Sequence, residues 1–144
     1  MRPTNVAYLA PSVTTFVFSN PAYRIYTVDG GRHRSNAPWT IEDHETFVMD
    51  LEESNKKDMP RWQLEYSAKH HYGLQSLSPQ QWHSLAEKFR TNETLFREYH
   101  RFMHKMIEPH RCDKECKARE ICYIEAATTT GIRQCMIGLG YHPA

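Results

Sequence analysis

Cysteine and histidine carry the most obvious chemistry in this chain of 144 residues. Four cysteines, Cys112, Cys116, Cys122 and Cys135, fall in the last third with the spacing C-x3-C-x5-C-x12-C. A zinc site wants thiolate pairs two to four residues apart, or one such pair with histidines, and only Cys112 and Cys116 fit. Disulfides suit the spacing better. One helical turn puts Cα atoms about 6 Å apart, so Cys112 can clip to Cys116. Cys122 can then tie to Cys135, although four cysteines permit three connectivities. An even, clustered count points to an oxidising compartment. The sequon Asn92-Glu93-Thr94 makes Asn92 a candidate glycosylation site in such a compartment.

The histidines offer less. His100 and His104 are four apart on a helical pattern and could reach one ion, but the Glu that a His-Glu-x-x-His protease uses as base is missing. Arg101 and Lys105 beside them oppose a cation, and both histidines lie off the apolar stripe, so solvated side chains are expected. His70 and His71 diverge on a helix. Asp43-His44-Glu45 with Asp50 and Glu52 is the densest acidic patch and could serve acid–base chemistry. Its expected role is surface charge at the entry to a strand. No Gly-x-Ser-x-Gly nucleophile setting occurs, and neither glycine-rich phosphate loop does.

Composition narrows the class. Charged residues make up 24% and hydrophobic ones 40%, which suits a globular chain rather than a disordered one. A net charge of +1 gives no basic excess for a nucleic-acid binder or a polybasic membrane anchor. The uncharged stretch from Pro3 to Tyr23 holds Pro3, Pro11, Pro21 and several polar residues. It reads as two short strands, not a transmembrane helix or a signal peptide.

The elements that must position these groups divide along the chain. Val6–Leu9, Thr14–Phe18, Tyr23–Val28 and Thr46–Leu51 read as strands, with a turn at Asp29-Gly30-Gly31 and a polar loop over residues 32–45. Helices follow. Pro60 suits a first turn, with Trp62 and Tyr66 four apart, Glu65 placed to pair with Lys69, and Gly73 as the stop. Ser78-Pro79-Gln80-Gln81 has a cap, a first-turn proline and a capping-box Gln, before a stripe of Trp82, Leu85, Ala86 and Phe89. Leu95 to Ile107 carries the next stripe, ended by Pro109. Asp113 to Ala127 and Ile132 to Ile137 complete the set. Strands then helices predict an α+β chain with a boundary near residues 56–58.

The cysteine spacing and several upstream blocks together resemble the acid sphingomyelinase and acid sphingomyelinase-like phosphodiesterase family. The blocks are Tyr8-Leu9-Ala10-Pro11-Ser12 with Thr14-Thr15, Asn20-Pro21-Ala22-Tyr23-Arg24-Ile25-Tyr26 with Asp29-Gly30, and Asp43-His44-Glu45-Thr46. Trp62-Gln63-Leu64-Glu65-Tyr66, Tyr72-Gly73-Leu74 and Trp82-His83 continue the series in order. Trp82-His83 leans toward sphingomyelinase proper, while the cysteine spacing is shared with the like-phosphodiesterases.

The resemblance implies that residues 1–55 are the last strands of a metallophosphatase sandwich and residues 58–144 a helical C-terminal subdomain. It implies a parent enzyme with two zinc ions that hydrolyses sphingomyelin to ceramide and phosphocholine, or a related phosphodiester. The metals would act as Lewis acids and activate water. The family's metal motifs, Asp-x-His, Gly-Asp, Gly-Asn-His and Gly-His-x-His, do not occur in this sequence. No catalytic or metal residue is therefore carried over, and the chain alone is expected to be inactive and to hold no cofactor. Its partner would be the preceding part of its own catalytic domain, and the parent would be secreted or lysosomal. Phe16 is the one substrate-pocket candidate. It stands where acid sphingomyelinase has a tyrosine, so it lacks the hydroxyl, and a buried strand aromatic is the competing reading. The alternative for the whole chain is a stand-alone secreted helical binding or decoy module.

Overall fold

The computed structural model describes residues 3–16, 19–31, 38–107 and 112–141. The architecture is α+β, as expected: three antiparallel strands in the order β1-β2-β3 and a layer of helices. Strand β1 (Ala22–Asp29) pairs with β2 (Thr40–Met49), and β2 pairs with β3 (Trp62–Ser67). Alternation along β2 puts His44, Thr46 and Val48 on the buried face. Register then places Tyr23, Phe47 and Leu64 together on the opposite face.

Several elements differ from the sequence expectation. Val6–Leu9 is not a strand, and neither are residues 14–16; Val17 and Phe18 lie outside the described residues. The loop expected over 32–45 gives way to β2 from Thr40. Helix α1 (Leu51–Lys57) follows where a strand was expected to run on to Leu51. Asp50 caps it, accepting from the Glu53 N–H at 2.9 Å. The helix expected from Pro60 is β3, and only α2 (Ala68–Tyr72) is helical there. Because β3 hydrogen-bonds to β2, the sheet runs across the boundary expected at residues 56–58.

The later helices follow their signals. Helix α3 (Pro79–Thr91) starts at the Ser78 cap, and α2 stops at Gly73 with φ of 63°. Asn92 closes α3 and caps α4 (Glu93–Met103) by accepting from the Leu95 N–H at 3.0 Å. The expected continuation to Ile107 fails because Lys105 and Met106 turn left-handed, at φ of 53° and 60°. The expected stop at Pro109 lies outside the described residues. Helices α5 (Lys114–Glu125) and α6 (Thr129–Gly138) are capped by Asp113 and Thr128. The main core joins Leu85 and Phe89 of α3, Phe96 of α4 and Ile121 of α5 to Ala68 and Tyr72 of α2. A smaller cluster of Ala118, Cys122 and Met136 holds α6 on α5.

Candidate functional site

The buried sheet face carries the densest polar arrangement. Arg24, Thr46 and Tyr66 stand in register across all three strands. The Arg24 guanidinium donates to Thr46 Oγ1 at 2.9 Å, to Tyr66 Oη at 2.9 Å and to the Leu9 carbonyl at 3.2 Å. One side chain thus stitches the sheet and fastens the N-terminal segment to it. Strand alternation in the sequence places Arg24 with Tyr26 and Val28 on one face, but its meeting with Tyr66 depends on a cross-strand register that spacing alone does not show. Their alternation with Tyr23 and Glu65 was the available signal.

His44 is not part of a surface patch. It is buried, with its ring stacked on Trp82 at 6.0 Å and edge-on to Tyr8, Tyr26 and Tyr66. Trp82 Nε1 donates to Tyr8 Oη, which donates to the Leu77 carbonyl at 3.1 Å. Burial and the nearby Arg24 charge push the His44 imidazole down to about 4, against a weaker upward pull from Asp43. Asp43 is a structural clasp. Its Oδ1 accepts from the Lys69 N–H at 3.0 Å and the His44 N–H at 2.8 Å, and its Oδ2 from the Ser67 hydroxyl at 2.7 Å. Burial works against its charge, but these bonds outweigh it and hold the carboxyl below its ordinary range. The acid–base patch read from sequence is therefore divided: Asp43 ties β2 to α2, His44 fills a core, and Asp50 caps a helix.

Glu65 sits at the bulge where β3 changes face. The expected pairing with Lys69 has no place in β3. Burial raises its carboxyl to about 7, despite the Arg101 and Arg24 charges. Neither carboxylate oxygen makes a hydrogen bond of good geometry among the described residues. The Met106 N–H beside it is given to the Arg101 carbonyl at 3.3 Å.

The cysteines form two bonds, Cys112–Cys116 and Cys122–Cys135, with Cα separations of 5.2 and 5.7 Å. The sequence left three pairings open, and this is the one the local spacing suits. His100 corrects another expectation: it is buried rather than solvated, stacked on Phe96 at 5.8 Å. His104 is exposed, and its ring lies 4.6 Å from that of His100. Phe16 is 79% exposed, so the buried-strand reading fails. Asn92 is exposed at the junction of α3 and α4.

Two groups of potential metal ligands lie within 4.8 Å among the described residues: His100 with Cys112 and Cys116, and His83 with Glu87 and Glu125. In the first, both sulfurs are in a disulfide. In the second, Arg90 holds Glu87 at 3.0 Å and Glu125 at 2.6 Å. Neither is a carboxylate-bridged pair of metal positions about 4 Å apart, so neither of these two groups fits a dinuclear hydrolase centre. His83 and Glu125 come from α3 and α5, and sequence spacing could not have joined them.

The outer sheet face is largely apolar and open. Tyr23 stacks on Phe47 at 5.1 Å and meets Trp62 edge-on at 4.9 Å, while Ile25 and Leu64 are 48% and 51% exposed. Among the described residues, no helix is long and apolar enough to cross a membrane.

The chain matches the family described as the acid sphingomyelin phosphodiesterase C-terminal region over residues 2–139. It is 38% identical over 127 residues to sphingomyelin phosphodiesterase 2 of Caenorhabditis elegans, covering 86% of this chain and 20% of that protein. It is 37% identical over 123 residues to the sphingomyelin phosphodiesterase of Homo sapiens, covering 84% and 19%. A cyclic GMP-AMP phosphodiesterase of Rattus norvegicus is 28% identical over 143 residues, covering 94% and 31%. The chain therefore spans about a fifth of the length of the sphingomyelin phosphodiesterases it matches. With nearly its whole length matched, this chain belongs to the acid sphingomyelin phosphodiesterase C-terminal region family.

Proposed function

We propose that this chain is the C-terminal part of a sphingomyelin phosphodiesterase-like hydrolase and is not catalytic alone. The observation that carries the reading is the family match over residues 2–139, made by a chain about a fifth as long as its relatives. The parent would hydrolyse sphingomyelin or a related phosphodiester. The sheet would belong to a metallophosphatase domain, with two zinc ions held by residues that precede this chain. The helical layer would be the C-terminal subdomain.

The open apolar sheet face supports the same reading. Stacked sheets bury such faces against one another. A preceding portion of the catalytic domain would cover Tyr23, Ile25, Phe47 and Leu64, and it would also bring a pocket to the exposed Phe16. The two disulfides favour a secreted or lysosomal protein. The exposed Asn92 keeps its cap through Oδ1, which leaves its amide nitrogen available to carry a glycan. Balanced charge gives no support for a nucleic-acid partner.

The test compares sphingomyelin hydrolysis by this chain with hydrolysis by the same chain preceded by a family catalytic portion. The longer protein should be active and the short one silent. Zinc-dependent turnover by the short chain would overturn the proposal. The isolated chain should also self-associate through its open face; a monomer with a sharp cooperative melt would favour the stand-alone binding module instead.

A further inference from the structure

Glu65 carries a carboxyl group that nothing holds. Strand β3 slips by one residue against β2, between the pairs Tyr66–Thr46 and Leu64–Phe47, so Glu65 is the extra residue of a bulge. Both of its carboxylate oxygens are closed off from solvent and lack a hydrogen-bond partner among the described residues. Against it lies the turn over residues 104–107 that ends α4, with the Met106 N–H beside the carboxyl. In that turn Lys105 and Met106 are both left-handed without being glycine, at φ of 53° and 60°. We propose that Glu65 is a proton-operated latch: protonated, it keeps this turn closed on β3, and ionised, it drives the turn open. The inference goes beyond the reading of the chain as part of a hydrolase and does not depend on it.

The two sides of this contact differ in how readily they move. On the sheet side, Leu64 and Tyr66 flank Glu65 and are paired to Phe47 and Thr46 of β2. On the other side, two successive left-handed residues with side chains store backbone strain. The turn is fastened by Gln63 Nε2 donating to Met106 Sδ at 3.8 Å, by Asn20 Nδ2 donating to the Lys105 carbonyl at 3.0 Å, and by Lys105 Nζ donating to the Ser12 carbonyl at 3.0 Å. A charge forced into the contact is therefore relieved by the turn lifting, not by the sheet parting. Lifting the turn takes Lys105 Nζ away from Ser12, so the N-terminal segment that carries Phe16 loses one of its ties in the same step.

The groups around the carboxyl come from every neighbouring element. Arg24 of β1, Arg101 of α4 and Lys105 of the turn bring positive charge, and Tyr66 of β3 and Tyr72 of α2 bring phenols. Arg24 spends its guanidinium on Thr46, Tyr66 and the Leu9 carbonyl, and Lys105 spends its ammonium on Ser12. The Met106 N–H goes to the Arg101 carbonyl at 3.3 Å. A carboxylate in the closed form thus has cations near it but no hydrogen bond, and burial outweighs their attraction. In the open form water reaches both oxygens, and Lys105, released from Ser12, is able to pair with them. The proton passes to solvent. The closed form has its full advantage below the ordinary carboxyl value of 4.5, and that advantage is lost as pH rises through about 7.

Amide hydrogen exchange of the whole chain, kept dilute, reads the turn directly. After correction for the intrinsic rate, exchange at Lys105, Met106 and Ile107 should rise at least about tenfold from pH 5 to pH 8. Segments around Phe89 of α3 and Ile121 of α5 should show no such step. Glu65→Gln keeps the shape of the side chain without its charge and should flatten the profile of the turn. Should that variant fail to fold, Glu65→Leu supplies an uncharged side chain of similar size, and the same flat profile is expected. His100 and His104 remain in both variants, so a rise that persists in them belongs to the histidines and overturns the proposal. A flat profile in the parent chain, or an equal rise along its whole length, would overturn it as well.

Discussion

Removing the two disulfides separately should have unequal effects. Cys122–Cys135 closes a sequence separation of 13 and Cys112–Cys116 a separation of 4. In the chain-entropy picture the longer loop is worth about 3 kcal/mol and the shorter about 2 kcal/mol. The longer bond also lies in the cluster of Ala118, Cys122 and Met136, which is the main packing between α5 and α6. Cys122→Ala with Cys135→Ala should therefore lose slightly more than the loop term, as α6 loosens. The assay is urea unfolding followed by far-ultraviolet circular dichroism, at concentrations low enough to avoid association of open sheet faces. With a slope of about 2 kcal/mol/M, the midpoint should fall by about 1.5 M for the Cys122/Cys135 pair and about 1 M for the Cys112/Cys116 pair. Cys122 is fully buried while Cys112 and Cys116 are partly exposed, so limiting thiol should open the shorter bond first. The reverse order of midpoints, or no measurable change for either pair, would refute the reasoning.

Three further outcomes follow from the sheet. His44 has a folded value of about 4 against 6.5 unfolded, so its contribution is complete above pH 6.5 and is lost as pH falls toward 4; a ring that titrates near 6.5 by NMR would contradict its burial. Glu65 has the opposite sign: its folded value of about 7 exceeds the ordinary 4.5, so its contribution is complete below 4.5 and is lost as pH rises through 7. Glu65→Gln should raise the urea midpoint at pH 8 relative to the parent chain, with little change at pH 4, and an equal effect at both would count against the assignment. Asp43→Asn should cost about 1–3 kcal/mol, because an amide nitrogen turned to Ser67 cannot accept its hydroxyl, and an unchanged midpoint would show that the clasp carries no stability.

Much of the helical layer was legible because its signals are local. Ser78-Pro79-Gln80-Gln81 starts α3 by chemistry confined to four residues, and Gly73 stops α2 by the left-handed turn it tolerates. The sheet was harder to read, because pairing is long-range. Trp62 and Tyr66 are four apart, which fits one helical turn and also two strand pleats, and the open edge of β2 selects the strand. In sequence Asp50 falls beside the acidic patch, but a cap residue followed three positions later by Glu53 is also a helix start. At the candidate sites, the disulfide spacing suited the pairing found. The burial of His44 and His100 was not legible, since each is covered by elements distant in sequence: Trp82 of α3 over His44, and the α5 side of the helical layer beside His100. The bulge that leaves Glu65 buried depends on the register of a neighbouring strand.

The central claim is that this chain works as one part of a longer hydrolase, and the most direct test is the mass of the native protein. A blot with an antibody to the α3–α4 region, backed by intact mass, should find a species several times heavier than 17.0 kDa. A native species near 17.0 kDa, apart from any glycan, would contradict the account and turn attention to the chain as a binding module in its own right.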